Sequence, residues 1–444
     1  MSKKVFLKGT LILACTGLVS RIAGFFYRIF LSHAIGAEGL GLYQLILPLQ
    51  GLMAALSYTG IQSALSRLIA SRLALQEKKE AYFSLVTGTF AAVFFSAVTG
   101  FLLFRHADFF ASTILKAPGT SDLLRLTAAS IPLCAIHSCI DSYYYARKKA
   151  SVPAAVQLSE QAVRIGATYI LYLIFLSEGR PVTAMIAAGG SLAGEAAASL
   201  ISLLMVSFHF GNHPVKEKTS VKIFPLIKDL FTLSFPISLN RILLTLLGSI
   251  EAVLIPQMLI RCGMTSSEAL KIYGIFTGMA LPLLLFPSTL TTSAAVMLMP
   301  SVARMDALGD QKQIRHVTDQ TFFLCMFLGF LCGSGFFLFG PFLGTLLFHS
   351  KTAGTYIRYL SFICPFLYTN TMLASILQGL GRPGRCLIHS AAGILIRIFS
   401  VVFMIPAIGI RGYFYGIFLG ELLLSLLHVK ALKFPYRQAG DNRL

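Results

Sequence analysis

The chain has 444 residues, of which 56% are apolar and 12% charged, with a mean hydropathy of +0.75. Soluble domains carry about twice that charged share, so a water-soluble globule is excluded. The formal net charge of +19 suggests nucleic acid, but the cations are spread over short connections rather than gathered on one basic domain, and membrane topology accounts for them.

Apolar runs of about 20 residues or more, long enough to cross a core of about 30 Å, recur from end to end. In chain order about twelve spans are predicted, at residues 6–34, 40–69, 82–105, 121–146, 153–177, 182–210, 226–258, 267–300, 318–346, 354–379, 385–406 and 410–433. The expected fold is therefore all-α and polytopic, with no room for a soluble domain. Several spans exceed 25 residues, and Pro48, Pro132, Pro236, Pro282, Pro287 and Pro365 are expected kink sites.

The opening MSKKVFLKGTLILAC ends in a loose lipobox at Cys15. It reads as an uncleaved first span, because the apolar segment continues past Arg21 to about Ser32. With the amino terminus inside, the inner connections take Lys3, Lys4 and Lys8 and the basic clusters near residues 67–79, 147–149, 216–228, 304–315, 382–385 and 430–443. The outer connections keep Arg105, Lys116, Arg180, Arg261, Lys351 and Arg411. That asymmetry predicts a plasma-membrane protein with both termini in the cytoplasm. The eight cysteines form no CxxC and lie mostly inside spans, so no disulfide framework, metal site or cofactor is expected.

The two halves of the sequence repeat one another. One offset of 233 residues places Pro132 on Pro365 and Arg164-Ile165 on Arg397-Ile398. In the sixth and twelfth spans Gly194-Glu195 and Ser199 match Gly420-Glu421 and Ser425. A weaker match pairs Ser20-Arg21-Ile22 with Asn240-Arg241-Ile242, and Tyr43 with Tyr273. The expectation is two six-helix lobes, residues 1–215 and 216–444. An even number of spans gives the copies one orientation, with a pseudo-twofold along the membrane normal and a central cavity.

Ten charged residues fall well inside predicted spans, among them Arg21, Arg28, Asp141, Arg241, Glu251 and Arg397. Each costs about 2.5–3.5 kcal/mol at a helix centre and so needs a partner, water or a function. Arg21 and Arg28 are two helical turns apart, about 10.5 Å along the axis and close in direction, which makes a cationic stripe. By the repeat, Arg241 beside Asn240 enters the same cavity from the seventh span. Arg397 lacks the i−4 acid that Glu160 gives Arg164, because Gly393 holds that place, and it is expected to pair across helices or meet a ligand.

Arg21, Arg28, Asn240, Arg241 and Arg397 are thus candidates for binding an anionic substrate, since the planar guanidinium fork suits phosphate or carboxylate. The competing reading has the arginines snorkel to an interface or pair with Asp141 or Glu251. Those two acids are also the candidates for Na+ or H+ coupling. Glu195 and Glu421 read as a repeated helix-packing contact to Arg164 and Arg397. His137 and His389 read as hydrogen-bonded structural residues. Walker A, HExxH and GxSxG patterns are absent, so a carrier is expected rather than an enzyme.

The stretch LVSRIAGFFYRIFLSHAIGAEGLGLYQLILPLQGL, residues 18–52, resembles the start of the multidrug/oligosaccharidyl-lipid/polysaccharide flippase superfamily. Together with FPISLNRILLTLLGSIEAVLIPQ it most resembles the stage V sporulation protein B branch. The resemblance implies a MATE-like fold of two lobes around a cavity. It also implies export of undecaprenyl-pyrophosphate-linked sugars or lipid II-like precursors for cortex or other envelope polymers, with envelope or cortex synthases as partners.

In the related lipid II flippases, arginines of the first helix and of a second-lobe helix line a cationic cavity; Arg21 matches the first and Arg241 is its counterpart. Tyr27 stands where those flippases have a further arginine, with Arg28 one place later. Their two extra C-terminal helices, which form a lipid-tail groove, are not expected after about Lys433. Two alternatives accompany this reading. One is a cation-coupled multidrug exporter of the same fold, disfavoured by the lack of a carboxylate between Ser2 and Ala37. The other is a non-transporting scaffold in an envelope assembly.

Overall fold

The computed structural model describes residues 3–212 and 223–433, with side chains for 15–212 and 224–432. Among the described residues the regular structure is all helical. The principal helices are α1 (Lys3–Ala34), α2 (Gly36–Ser57), α3 (Thr59–Ala74), α4 (Lys78–Arg105), α5 (Ser121–Ala146), α6 (Ser151–Ser177), α7 (Met185–Asn212) and α8 (Ile223–Arg261). They continue as α9 (Ser266–Gly274), α10 (Ser288–Ala307), α11 (Gln311–Phe348), α12 (Lys351–Leu360), α13 (Cys364–Gly379), α14 (Pro383–Phe403) and α15 (Ile410–Lys433).

Ten helical segments among the described residues are long and apolar enough to cross a membrane. Of the other two expected spans, α6, which carries Glu160 and Arg164, is not in that group, and α1, which carries Arg21 and Arg28, has side chains described only from residue 15.

Two expected spans are interrupted. The segment at 40–69 breaks at Tyr58, where φ is −126° and ψ −23°. Ser57 donates back to the Met53 carbonyl at 2.7 Å in the last turn of α2, a bond that competes with the helical ladder and bends it. The segment at 267–300 passes from α9 through a π-helical turn, Ile275–Ala280, and a short helix, Leu281–Leu285, before α10. Pro282 follows closely on that π-helical turn and Pro365 on a 3-10 turn, Ser361–Ile363, each within one span, so both mark irregularities in the helix, while Pro287 stands just before the start of α10. Pro48 and Pro132 do lie inside continuous helices.

The chain divides into two compact units. The first runs to Val253 and adds Thr265–Gly274; the second comprises Leu254–Met264 and the chain from Ile275. In the first unit, Leu65, Ile69, Leu85, Ala135 and Ile140 form the core between α3, α4 and α5, and Leu230 of α8 joins it. Arg72 at the end of α3 pairs with Glu77 at 3.1 Å, Glu80 at 2.8 Å and Asp229 at 3.0 Å, tying α3 to α4 and α8.

Small residues set the closest approaches, as expected where lipid supplies no hydrophobic drive between helices. A Cβ on Gly190 of α7 would lie 1.9 Å from Thr168 Oγ1, and one on Gly194 would lie 3.0 Å from the Glu160 carbonyl. In the second unit, Val302, Leu373 and Ile376 pack α10 against α13, and a Cβ on Gly420 of α15 would lie 3.0 Å from the Gly393 carbonyl of α14.

Candidate functional site

The first helix is divided around its circumference. Tyr27, Leu31 and Thr16 are buried, and Tyr27 meets Thr168 of α6 with 3.0 Å between the hydroxyl oxygens. Phe30 packs edge-on against Tyr172 of the same helix. At ~100° per residue, Arg21 and Arg28 lie about 20° apart and about 140–160° from Phe26, which is 63% exposed. Gly17 and Gly24 share the arginine sector, while Val19, Ile22 and Phe26 occupy the far one. The sequence of α1 thus keeps its cations off the face that presents bulky apolar side chains. Arg28 is half-buried, and among the described residues no carboxylate lies within 4.0 Å of it.

Beside that stripe, α5, α6 and α7 assemble a network of charged side chains. His137 Nε2 is 2.9 Å from Glu195 Oε2, and its Nδ1 is 3.9 Å from Asp141 Oδ2. Arg164 reaches Glu195 Oε1 at 3.4 Å, pairs with Glu160 one turn earlier on α6, and donates to Gln161 Oε1 at 3.3 Å. Tyr43 of α2 is buried and lies within electrostatic reach of Arg28, Arg164 and Glu195. The network is possible because Gly194 lets α7 approach the backbone of α6 at Glu160 and Arg164.

The second unit repeats the arrangement. Arg397 Nη1 is 3.5 Å from Glu421 Oε1, Asn370 Nδ2 donates to Glu421 Oε2 at 2.8 Å, and Ser425 donates to Asn370 Oδ1 at 2.6 Å. The offset that aligns Arg164 with Arg397 also puts His137 on Asn370. Both units therefore hold an arginine, a glutamate and a side-chain hydrogen-bonding group from three successive spans.

The predicted site residues fall into distinct settings. Arg21 is exposed on α1, and Asn240 and Arg241 are exposed on α8. Between the contacts of α8 with α3 and α2, where Ser238 meets Gly60 and Ser249 donates to the Pro48 carbonyl at 2.9 Å, Arg241 lies about 60° off the contact line. Helix α1 packs on α6 and α2, whereas α8 packs along α2, α3 and α4, so the two arginine-bearing helices share α2 and otherwise stand on different neighbours. Glu251 is buried within electrostatic reach of Tyr273. Asp141 is half-buried beside His137 rather than beside an arginine. Arg397 is engaged by Glu421.

Sequence reading missed the central place of His137, which bridges two acids, and the close grouping of Cys134 with it. The 233-residue offset held the signal, since His137 aligns with a residue that also bonds the repeated glutamate.

Comparison with known proteins agrees with this architecture. The family model described as polysaccharide biosynthesis protein matches residues 6–306. Stage V sporulation protein B of Bacillus subtilis (strain 168) is 30% identical over 96% of this chain and 83% of its own length. Lipid II flippase MurJ of the same organism is 22% identical over 96% of this chain and 82% of its own. An inward-facing multidrug resistance MATE family transporter of the MOP superfamily superposes with a TM-score of 0.68 at 16% identity, covering 95% of this chain and 99% of the other. The fold is MATE-like, and the chain is a multi-pass membrane protein.

Proposed function

The chain belongs to the polysaccharide biosynthesis protein family, and on that premise we propose that it is a flippase for lipid-linked glycans. It moves undecaprenyl-pyrophosphate-linked oligosaccharide or peptidoglycan precursors of the lipid II type from the cytoplasmic to the outer leaflet by alternating access. The products feed cell-envelope or spore-cortex synthesis, and the synthases are its partners. It acts as a carrier and not as an enzyme, through lobes of residues 1–215 and 216–444, with both termini in the cytoplasm.

The observation that carries this reading is the cationic stripe on α1. Arg164 and Arg397 each stand against a glutamate at 3.4 and 3.5 Å, whereas Arg28 faces no carboxylate within 4.0 Å among the described residues. A half-buried guanidinium on a span, turned away from the exposed apolar face, is suited to a pyrophosphate. Arg21 extends the stripe by two turns, and Arg241 and Asn240 add donors from α8.

Return of the empty carrier needs those cations neutralised or rehydrated, a task for the carboxylate of Asp141 or Glu251 once it has released a bound Na+ or H+. The direct test is translocation of a fluorescent undecaprenyl-pyrophosphate glycan in proteoliposomes of the native chain. The proposal expects quencher-accessible label to rise above protein-free vesicles. Efflux of a cationic dye without glycan movement contradicts it and supports a drug exporter.

A further inference from the structure

In the second unit the first turns of α11 and the last turns of α13 and α15 enclose a pocket of about 590 Å³. Its polar lining is Arg315, Asp319 and Arg382, with Gln311 and Thr318; Phe322, Leu373 and Val429 are among its apolar walls. The two kinds of group are segregated. The side chain of Arg315 is 87% exposed and that of Asp319 60%, while Leu373 is fully buried and sits with Phe322 in the α10–α13 core.

Phe323, 71% exposed, carries the wall onto the face of α11 that also presents Leu324, Phe327, Phe330 and Leu331. Such a stripe on a span lies against acyl chains, so the pocket is cationic at its rim and open toward lipid.

Two arginines against one aspartate leave the lining with a single net positive charge. That balance suits one phosphodiester better than a multiply charged pyrophosphate. Arg315 Nε stands 3.9 Å from Asp319 Oδ2 in an exposed pair of little intrinsic worth, which a bound phosphate can outcompete. Arg382 donates to the Ala431 carbonyl at 3.4 Å, which fixes its guanidinium at the end of α15. The geometry points to a binding site for an anionic glycerophospholipid at the ends of α11, α13 and α15. Arg315 and Arg382 hold the phosphodiester, and the first methylenes of the acyl chains lie along Phe322 and Phe323. The site is separate from the arginine stripe of α1 and does not depend on the transported substrate.

Native mass spectrometry of the full chain, purified and delipidated in detergent, tests it by titration with dioleoylphosphatidylglycerol and, separately, dioleoylphosphatidylcholine. One saturable phosphatidylglycerol site is expected, about fivefold or more tighter than phosphatidylcholine and weakened about fivefold by Arg315→Gln. Arg382→Gln should weaken it similarly, and Arg21→Gln should leave it unchanged. The exposure of Arg315 makes its variant the decisive one if Arg382→Gln lowers the thermal midpoint. Equal binding of the two lipids, or phosphatidylglycerol affinity unaffected by Arg315→Gln, overturns the assignment. Displacement of the lipid by millimolar inorganic phosphate also overturns it, because the site would then read the anion without the chains.

Discussion

Arg28 and Arg164 are both half-buried guanidiniums on adjacent helices of the first unit, and their surroundings assign them opposite roles. Arg164 is held by Glu160, Glu195 and Gln161, so removing it strands Glu160 and leaves Glu195 with His137 alone. Arg164→Ala is therefore predicted to destabilise the folded chain by about 3–5 kcal/mol, read as a lower thermal midpoint in detergent. Arg28→Gln removes a cation that no described carboxylate within 4.0 Å depends on. It should leave the thermal midpoint unchanged while slowing glycan translocation about tenfold or more, the scale of one charge-assisted hydrogen bond. The i,i+4 spacing of Glu160 and Arg164 was legible in the sequence because a helix makes such neighbours meet. The bridge from His137 to Glu195 spans 58 residues, and no local spacing announces it.

At the scale of elements, the packing of α6 on α7 decides whether the charged network can form. Gly190 and Gly194 bring the helix backbones together, and the predicted outcome of Gly190→Leu is a loss of about 1–3 kcal/mol or more, measured as a lower thermal midpoint. Gly166→Leu on α6 is the matched control, since nothing lies within 4 Å of its Cβ direction, and it should fold normally. The existence and order of the twelve segments were readable from apolar run length. Their internal breaks were not: the back-bonded Ser57 and the π-helical turn at Ile275–Ala280 leave hydropathy unchanged while redirecting the backbone. Pro365 was legible as an irregularity, and it follows closely on the 3-10 turn Ser361–Ile363 within one span.

Across the whole molecule, the internal duplication explains why the arginine–glutamate contact of Arg164 with Glu195 recurs as Arg397 with Glu421, and it was visible in the sequence as matched polar landmarks. The copies have diverged in chemistry. His137 with Asp141 nearby occupies the place that Asn370 holds in the second unit, so groups able to exchange protons at this position are concentrated in the first. The proposed topology predicts that, with Cys15 and Cys262 replaced by serine, Arg180→Cys reacts with an impermeant thiol reagent in intact cells and Lys149→Cys reacts only after lysis. Reversed labelling would invert the chain and with it the direction of transport. The most direct measurement is the translocation rate of a fluorescent undecaprenyl-pyrophosphate glycan in proteoliposomes of the native chain, Arg28→Gln and Arg28→Lys at matched insertion. The account predicts transport by the native chain, loss in Arg28→Gln and partial recovery in Arg28→Lys. Native transport that survives Arg28→Gln at full rate would contradict the claim that the α1 stripe holds the pyrophosphate.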